Sequence, residues 1–563
     1  MSRFNLIDEK WIRVMSDERG TIEEVSLVEL FRNAHRYKCL AGETVTQDFV
    51  TLRFLLAILL TVYSRFDADG EAYEFVELDD KFRQLNNEVP DGYSTEYADD
   101  LIDTWEKLWE TKKFGTIVED YLQKWHDSFY LFDEEKPFAQ ISLEVLENRK
   151  LSKDKPGSVS GKNINRLISE SGNKVALFSP KYDKGNNKER LNEAEIARWL
   201  LTFHGYVGLS DKVIFGSDKY KASKGWVFDI GGVYLEGETL IETLLLNLTL
   251  LHPIESQRGF SQKPLWEKEI DEALDDLMAE KPLDNLAELY TNWSRAIYMN
   301  PETDVSKPFS FDIIKVPEVN HQDNFLEVMT VWKDNKTGPW KGSLTPRKHT
   351  PEQSIWRSFG LLSLPTTDNH RKPGIVDWLN QLLDLDIEID SHFKFVSMKD
   401  DANATSWVPA DEIYDVLNIE EHVMTDVQED GWVPRINDEV ERTKTVVGFI
   451  LRGFASDINE IRNSKNTGFV SRVVSEAYFE IDMPFRQWLS NIKIKDDKNE
   501  KVSEWRKTLR DRVIKEADKL VLNAGNREYI GIEKNDKIFN IATAYNRFIA
   551  RINKELPKGE AND

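Results

Sequence analysis

Cysteine is almost absent from this chain of 563 residues, in which Cys39 is the single example. One cysteine excludes an intramolecular disulfide framework and also excludes zinc sites built from several cysteines. Long apolar runs are missing too: the longest, residues 54–62, is about half of what a bilayer crossing needs, and the N-terminus shows no apolar leader. These features predict a protein of a reducing compartment, the cytoplasm, with no membrane partner.

Catalytic motifs are equally scarce. The nine histidines show no paired metal-ligand spacing, and no Gly-x-Ser-x-Gly elbow is present. Residues 157–162 look like a phosphate loop, but they are one residue short of the Walker spacing and Asn163 follows in place of Ser or Thr. We therefore predict neither an enzyme nor a resident metal or cofactor. A metal-dependent nuclease or hydrolase, with a site assembled from scattered carboxylates, is the alternative.

Charge is unevenly distributed along the chain. The net charge is −25, yet residues 441–563 carry 24 Lys and Arg against 19 Asp and Glu. An acidic body cannot attract nucleic acid by its overall charge. Any nucleic-acid contact must therefore use local basic loops, or the protein must join partners that supply positive charge.

Hydrophobic residues make up 40% of the chain, with 16 Trp and 29 Phe, which is enough for more than one packed core. Alternating segments mixed with helical ones predict a mixed α/β N-terminal domain over residues 1–430. After Gly431, apolar side chains recur at spacings of three, four and seven, as in Val440, Val447, Leu451 and Phe454. The predicted fold class is therefore α+β, with a four-helix bundle over residues 431–563.

Several helices can be placed along the chain from the sequence. We predict that Thr46 caps a buried helix over residues 49–62, and that residues 100–125 form an amphipathic helix. A further helix is predicted over residues 193–206. In the C-terminal part, we expect one helix to be interrupted or ended near Pro484.

Three loops are basic or polar and contain aromatic side chains: residues 148–190, 208–226 and 333–348. The aromatic residues in them are Phe178, Tyr182, Tyr220, Trp226 and Trp340. This composition suits phosphate contacts combined with base stacking. It is equally typical of solvated loops that bind nothing, so the residues alone leave both interpretations open.

Four segments keep a familiar order along the chain. They are Asn5-Leu6-Ile7-Asp8 with Trp11, Ile12 and Val14; Trp125-His126-Asp127-Ser128-Phe129-Tyr130-Leu131 with Pro137-Phe138-Ala139-Gln140; an apolar helix around residues 244–250; and the helical C-terminus. In this order the chain resembles, from end to end, the CasA family, the large subunit of the type I-E CRISPR surveillance complex Cascade.

The resemblance implies a mixed α/β body followed by a four-helix bundle. It also implies a binding subunit without catalytic activity. Such a subunit contacts the 5′ handle of the guide RNA, inspects the protospacer-adjacent motif in double-stranded target DNA and helps to open the duplex. Its further partners are the other Cascade subunits and the helicase-nuclease of the same system. Protein then reads the short motif, while base pairing reads the rest.

The resemblance also implies roles for individual residues. Phe178, in residues 175–179, matches an aromatic inserted toward the guide's 5′ handle, and Asn403, in residues 400–405, matches a wedge at the first unpaired target position. Gly216 is what is left of a glycine-rich minor-groove loop, in which Lys219, Lys221 and Lys224 would contact phosphates. Lys333 or Lys336 corresponds to a lysine finger.

Minor-groove readout is degenerate, so we expect a promiscuous motif preference. A third interpretation is a scaffold that only bridges proteins.

Overall fold

The computed structural model describes residues 4–165, 168, 189–209, 213–385, 387–402 and 407–557. The chain divides into two compact units: the first is Met1–Pro351 with Thr367–Asp415, and the second is Glu352–Thr366 with Val416–Asp563. Helices and several small sheets occur together, which confirms the predicted α+β class. The domain boundary predicted between residues 430 and 431 lies inside the second unit and stays a prediction.

The described helices, in chain order, are α1 (Leu27–Asn33), α2 (Val45–Tyr63), α3 (Ser94–Thr111), α4 (Ile117–Lys124), α5 (Leu143–Glu147), α6 (Gly161–Ile164), α7 (Glu193–Tyr206), α8 (Leu240–Asn247), α9 (Ile270–Met278), α10 (Leu286–Thr291), α11 (Phe359–Ser363), α12 (Gly374–Leu383), α13 (Glu421–Thr425), α14 (Trp432–Thr445), α15 (Arg452–Ile461), α16 (Thr467–Ser490), α17 (Lys498–Leu522), α18 (Asn526–Ile530) and α19 (Ile541–Glu555).

The described strands are β1 (Ile12–Met15), β2 (Ile22–Val25), β3 (Cys39–Leu40), β4 (Gly157–Ser160), β5 (Gly232–Glu236), β6 (Arg295–Tyr298), β7 (Ser310–Lys315), β8 (Trp332–Asp334), β9 (Leu344–Pro346), β10 (His392–Asp400), β11 (Pro409–Leu417), β12 (Ile532–Lys534) and β13 (Lys537–Phe539). They form three-stranded sheets in the orders β2-β1-β3, β11-β10-β5 and β4-β7-β6, and the two-stranded sheets β8-β9 and β12-β13.

Helix α2 forms the centre of the first unit, and nearly all of its side chains are buried. By length and composition it is long and apolar enough to cross a membrane, but 89% of that stretch is buried inside the protein. The predicted N-cap at Thr46 is wrong. Thr44 has the extended backbone that a cap requires and accepts the Gln47 amide, whereas the Thr46 hydroxyl donates to Glu412.

The amphipathic segment predicted as one helix over residues 100–125 is two helices, α3 and α4. Helix α3 ends because Lys112 adopts a left-handed backbone conformation with φ 49°. The predicted helix over residues 193–206 is confirmed with the same bounds. It is capped by Asn192 in a capping box: the Asn192 side chain accepts the Glu195 amide, and the Glu195 carboxylate accepts the Asn192 amide.

The second unit contains four long helical segments: α14 continued by a π-helical turn at Val446–Leu451 into α15, then α16, α17 and α19. These segments pack on one another. Helix α16 runs through Pro484 to Ser490, so the helix does not end at the proline as the sequence suggested. Phe485 and Trp488, which follow Pro484, pack into the aromatic core around Trp505, and this burial offsets the lost backbone hydrogen bond.

Candidate nucleic-acid interface

Five of the seven residues predicted to bind nucleic acid lie in described parts of the chain: Gly216, Lys219, Lys221, Lys333 and Lys336. Phe178 and Asn403 lie outside the described residues, and their roles stay predictions. The described chain on either side of position 403 forms strands β10 and β11.

The first basic loop, residues 213–225, lies beside the end of strand β7 and the residues that come directly after it. Ile214 forms a parallel bridge with Lys315, and Ala222 forms an antiparallel bridge with Pro317. Both ends of the loop are thus fixed by backbone pairing to one extended segment. The loop has a defined path, although it contains no regular strand or helix.

The tip of the first basic loop turns at Gly216. Its φ is +70°, which favours glycine, and nothing lies within 4 Å of the place where a Cβ would stand. The Gly216 amide donates to the Lys150 carbonyl at 2.7 Å. Beyond the turn, Lys219 is exposed and has no ion pair within the part of the chain that the structure describes. Its ammonium group is free to meet an anion.

Lys221 connects the first basic loop to its surroundings. Its ammonium group forms an ion pair with the Glu318 carboxylate. The same nitrogen lies 5.4 Å from the centre of the Trp340 ring. Because Trp340 belongs to a different loop, this contact brings two of the predicted loops together.

The second basic loop, residues 333–345, is the hairpin of β8 and β9. The Asn335 side chain donates to the Ser343 carbonyl and to the Thr345 hydroxyl, each at 3.0 Å, and so closes the turn. Lys336 pairs with Asp334 at 2.7 Å. Lys333 is exposed and, among the described residues, makes no ion pair.

A row of alternating charges joins the first basic loop to Asp400 at the end of strand β10. Lys224 pairs with Asp229, and Lys348 lies 3.6 Å from Asp229 and 2.7 Å from Asp400. Burial by itself would raise the pKa of Asp229, but the two ammonium groups outweigh burial and hold that pKa below its ordinary value. The carboxylate is therefore ionised and links both lysines.

The two acidic side chains that precede the predicted wedge, Asp400 and Asp401, are bound by neighbouring groups of the protein. Besides its contact with Lys348, Asp400 accepts the Ala402 amide at 2.9 Å, and Asp401 accepts the Val408 amide at 3.3 Å. Carboxylates beside DNA repel phosphates. Here internal donors offset part of that repulsion.

Arg295 positions the first basic loop, and the sequence analysis missed it. Its side chain is fully buried and donates to the Gly208 carbonyl at 2.7 Å and the Ser223 carbonyl at 2.6 Å. One guanidinium thus holds both ends of the segment that carries Gly216 and Lys221. The available signal was a charged residue within the otherwise apolar strand β6.

Within the described ranges, no three His, Cys, Asp or Glu side chains are grouped so that they could hold a metal ion. The first and second basic loops instead present the ammonium groups of their lysines and the indole ring of Trp340. These groups suit phosphate contacts and stacking on a base.

Comparisons with known proteins agree over most of the chain. A family model described as CRISPR-associated protein Cse1 matches residues 5–515. The CRISPR-associated protein CasA/Cse1 of Thermus thermophilus is 25% identical over 368 residues, and this alignment spans 64% of the chain and 60% of that protein.

The solved structures extend the similarity to almost the full length. Thermobifida fusca Cse1 matches with a TM-score of 0.76 and 23% identity, covering 98% of each chain. A chain from a structure titled CRISPR RNA-guided surveillance complex matches with a TM-score of 0.63 and 14% identity, covering 98% of this chain and 99% of that one. At these identities the structural likeness establishes the shared fold.

Proposed function

Because the chain belongs to the CRISPR-associated protein Cse1 family, we propose that it is the non-catalytic DNA-recognition subunit of a cytoplasmic, RNA-guided type I-E CRISPR effector complex. Its partners in this role are the 5′ handle of the guide RNA, double-stranded target DNA, the other Cascade subunits and the helicase-nuclease. It recognises the protospacer-adjacent motif, promotes duplex opening and recruits the helicase-nuclease for antiviral defence.

One observation carries the proposal: three segments distant in sequence are linked into one group. Lys221 of the first basic loop contacts Trp340 of the second. Lys224 of the first basic loop is linked through Asp229 and Lys348 to Asp400 at the end of strand β10. A binding surface for a double helix requires several contacts at fixed spacing, and linked loops provide this.

The proposed mechanism divides the work among these segments. Lys219 and Lys333, which have no ion pair among the described residues, contact phosphates that flank the motif. The backbone around Gly216 approaches the minor groove, where a residue without a Cβ can come close. Asn403 then separates the strands at the first unpaired position. Because the minor groove carries a degenerate pattern, this mode tolerates several motif sequences.

The C-terminal helices have a second part in the proposal. Residues 441–563 have a net charge of +5 in a chain whose total is −25. This local excess suits contact with the displaced DNA strand, with small subunits of the complex, or with both.

The deciding experiment uses the reconstituted complex with guide RNA, with and without this chain. We expect location and opening of matched duplex DNA to require the chain. Changing Lys219, Lys221 and Lys333 together to Ala should weaken DNA binding and flatten its salt dependence by about 0.9 per lost phosphate contact. Lys307→Ala, an exposed lysine outside the three segments, is the control. A complex without the chain that finds and melts its targets equally well would contradict the proposal.

Two other functions give different results in the same system. A nuclease would cut labelled DNA when the purified protein is supplied with Mg²⁺ or Mn²⁺, whereas the proposed subunit leaves it intact. A scaffold that only bridges proteins would support assembly, yet the triple lysine variant would bind DNA as well as the parent complex does.

A further inference from the structure

The ion pair between Lys221 and Glu318 is built into the backbone of the first basic loop. The Glu318 amide donates to the Lys221 carbonyl at 2.8 Å, and the adjoining residues Ala222 and Pro317 form a bridge. The two side chains therefore leave paired backbone segments side by side. The chain path thus brings the two residues opposite each other, within reach of an ion pair.

The two partners are exposed very differently. The Lys221 side chain is 68% exposed, whereas the Glu318 side chain is 10% exposed. Within the described residues, the Glu318 carboxylate forms its ion pair with Lys221. A mostly buried carboxylate without a cationic partner is energetically unfavourable, because burial has removed most of the water that would stabilise its charge. Glu318 thus holds the ammonium group while leaving it accessible to a second anion.

A carboxylate and a phosphate compete for the same ammonium group, since both offer anionic oxygen acceptors. The same competition recurs nearby, where Lys224 is paired with Asp229, Lys336 with Asp334 and Lys348 with Asp400. Among the lysines discussed here, Lys219 and Lys333 have no carboxylate partner within the described residues. The surface proposed to meet DNA is therefore largely neutralised by its own acids.

On the premise of the proposed function, we propose that Glu318 limits the affinity of this surface for duplex DNA by acting through Lys221. Its carboxylate occupies the lysine in the DNA-free protein, so a random duplex must displace it for one phosphate contact. A duplex carrying the correct motif makes further contacts that outweigh this displacement. Glu318 therefore weakens binding to both duplexes by a similar factor, and the matched duplex stays bound because its further contacts are retained.

The test is Glu318→Gln in the full chain within the reconstituted complex. The probe is a labelled duplex with neither a motif nor complementarity to the guide. We expect two- to fivefold tighter binding at low salt, and a slope of log affinity against log salt that is steeper by about 0.9, since one more phosphate is neutralised. Matched duplex should tighten by a similar factor, because it must displace the same carboxylate from Lys221.

A matched control separates a local effect from a change in total charge. Glu302→Gln makes the same charge change at an exposed side chain that has no ion pair among the described residues. We expect it to leave both affinities unchanged. Equal tightening by Glu302→Gln and Glu318→Gln would overturn the inference, because bulk charge would then explain the result.

A double-mutant cycle tests whether Glu318 acts through Lys221. Lys221→Ala should weaken DNA binding, and adding Glu318→Gln to that variant should change it no further. A persistent effect of Glu318→Gln in the Lys221→Ala background, or no effect of Glu318→Gln in the parent, would overturn the inference while leaving the proposed function intact. The proposed function fails on a different result, namely that the complex without this chain binds its targets normally.

Discussion

The first unit buries both members of its main charged pairs, whereas the second unit buries only the acid. Arg65 and Glu267 are 0% and 2% exposed, and Arg53 and Glu327 are similarly enclosed. In the second unit, the Glu439 side chain is 1% exposed, but its partner Arg506 is 39% exposed. In these pairs, both charged side chains lie in the interior of the first unit, whereas in the second unit the cation lies at the surface.

The backbone explains this difference. Much of the first unit is loop, and its buried carbonyls need donors that no helix or sheet supplies. Arg65 donates to the carbonyls of Phe82 at 2.7 Å and Gln262 at 2.6 Å, and Arg295 serves Gly208 and Ser223 in the same way. The long helices of the second unit satisfy their own backbone groups. Buried arginines therefore replace secondary structure where the chain is irregular.

The largest expected difference between the units concerns acid. Burial lowers the pKa of His204, His252 and His349 to about 4, and all three lie in the first unit. The unfolded chain binds these protons from about pH 6.5 downward, so stability is complete above pH 6.5 and falls as the pH drops toward 4. Over this pH range, each histidine lowers the free energy of unfolding by up to about 3 kcal/mol. Thermal unfolding at pH 7.5 and 5.0, with limited proteolysis to identify the unit that opens, should show the first unit failing earlier.

The control for acid sensitivity is His349→Gln. The His349 ring lies 2.9 Å from the Gly232 carbonyl, and glutamine keeps a donor there but cannot titrate. We expect a shallower dependence of stability on pH in this variant. Equal acid sensitivity of the two units would contradict the prediction, because the second unit has a single histidine, the exposed His422.

The second prediction compares the charged pairs directly. Arg65→Met leaves Glu267 buried without its cation and should lower the free energy of unfolding by about 3–5 kcal/mol. Arg506→Met should cost about 1 kcal/mol, since the partly exposed arginine is only one of two that contact Glu439. Urea unfolding of both variants gives the two values. Similar losses would show that burial of the cation does not decide its contribution.

A smaller effect is expected at Gly208, which lies against the backbone of Trp407 and Val408. A Cβ there would stand 1.7 Å from the Trp407 carbonyl oxygen, so the backbone must move. Gly208→Ala should destabilise the protein by about 1–3 kcal/mol and reduce duplex opening by the complex. Denaturant unfolding and a strand-opening assay measure the two effects. If the variant opens duplex DNA as well as the parent does, the close approach of Gly208 to Trp407 is not needed for the proposed wedge.

The smallest effect is expected for Gly216→Asn, because Gly216 needs its positive φ but has space around it. Gly216→Asn should change the free energy of unfolding by less than about 1 kcal/mol, since asparagine tolerates this conformation, whereas Gly216→Val should cost about 1–3 kcal/mol. Matched unfolding curves provide the check. If the valine variant is as stable as the parent, the turn is not constrained by φ.

Sequence reasoning succeeded where structure depends on near neighbours. The predicted bounds of α7 are confirmed, and the structure shows that a local capping box at Asn192 and Glu195 begins this helix. It failed where two local solutions compete, as with Thr44 and Thr46, or where core packing overrides propensity, as at Pro484. Arg295 was missed because its partners, two loop carbonyls, leave no mark in the sequence.

For this protein, the residue order alone establishes the α+β class, the helices of the C-terminal part and the basic loops, because periodicity acts over three to seven residues. Folding decides which lysines keep a free charge. Lys221 meets Glu318 across 97 positions of sequence, and Lys348 meets Asp400 across 52, only because the chain path brings them together. Composition counts charges, but the arrangement of the backbone determines which of them a nucleic acid can use.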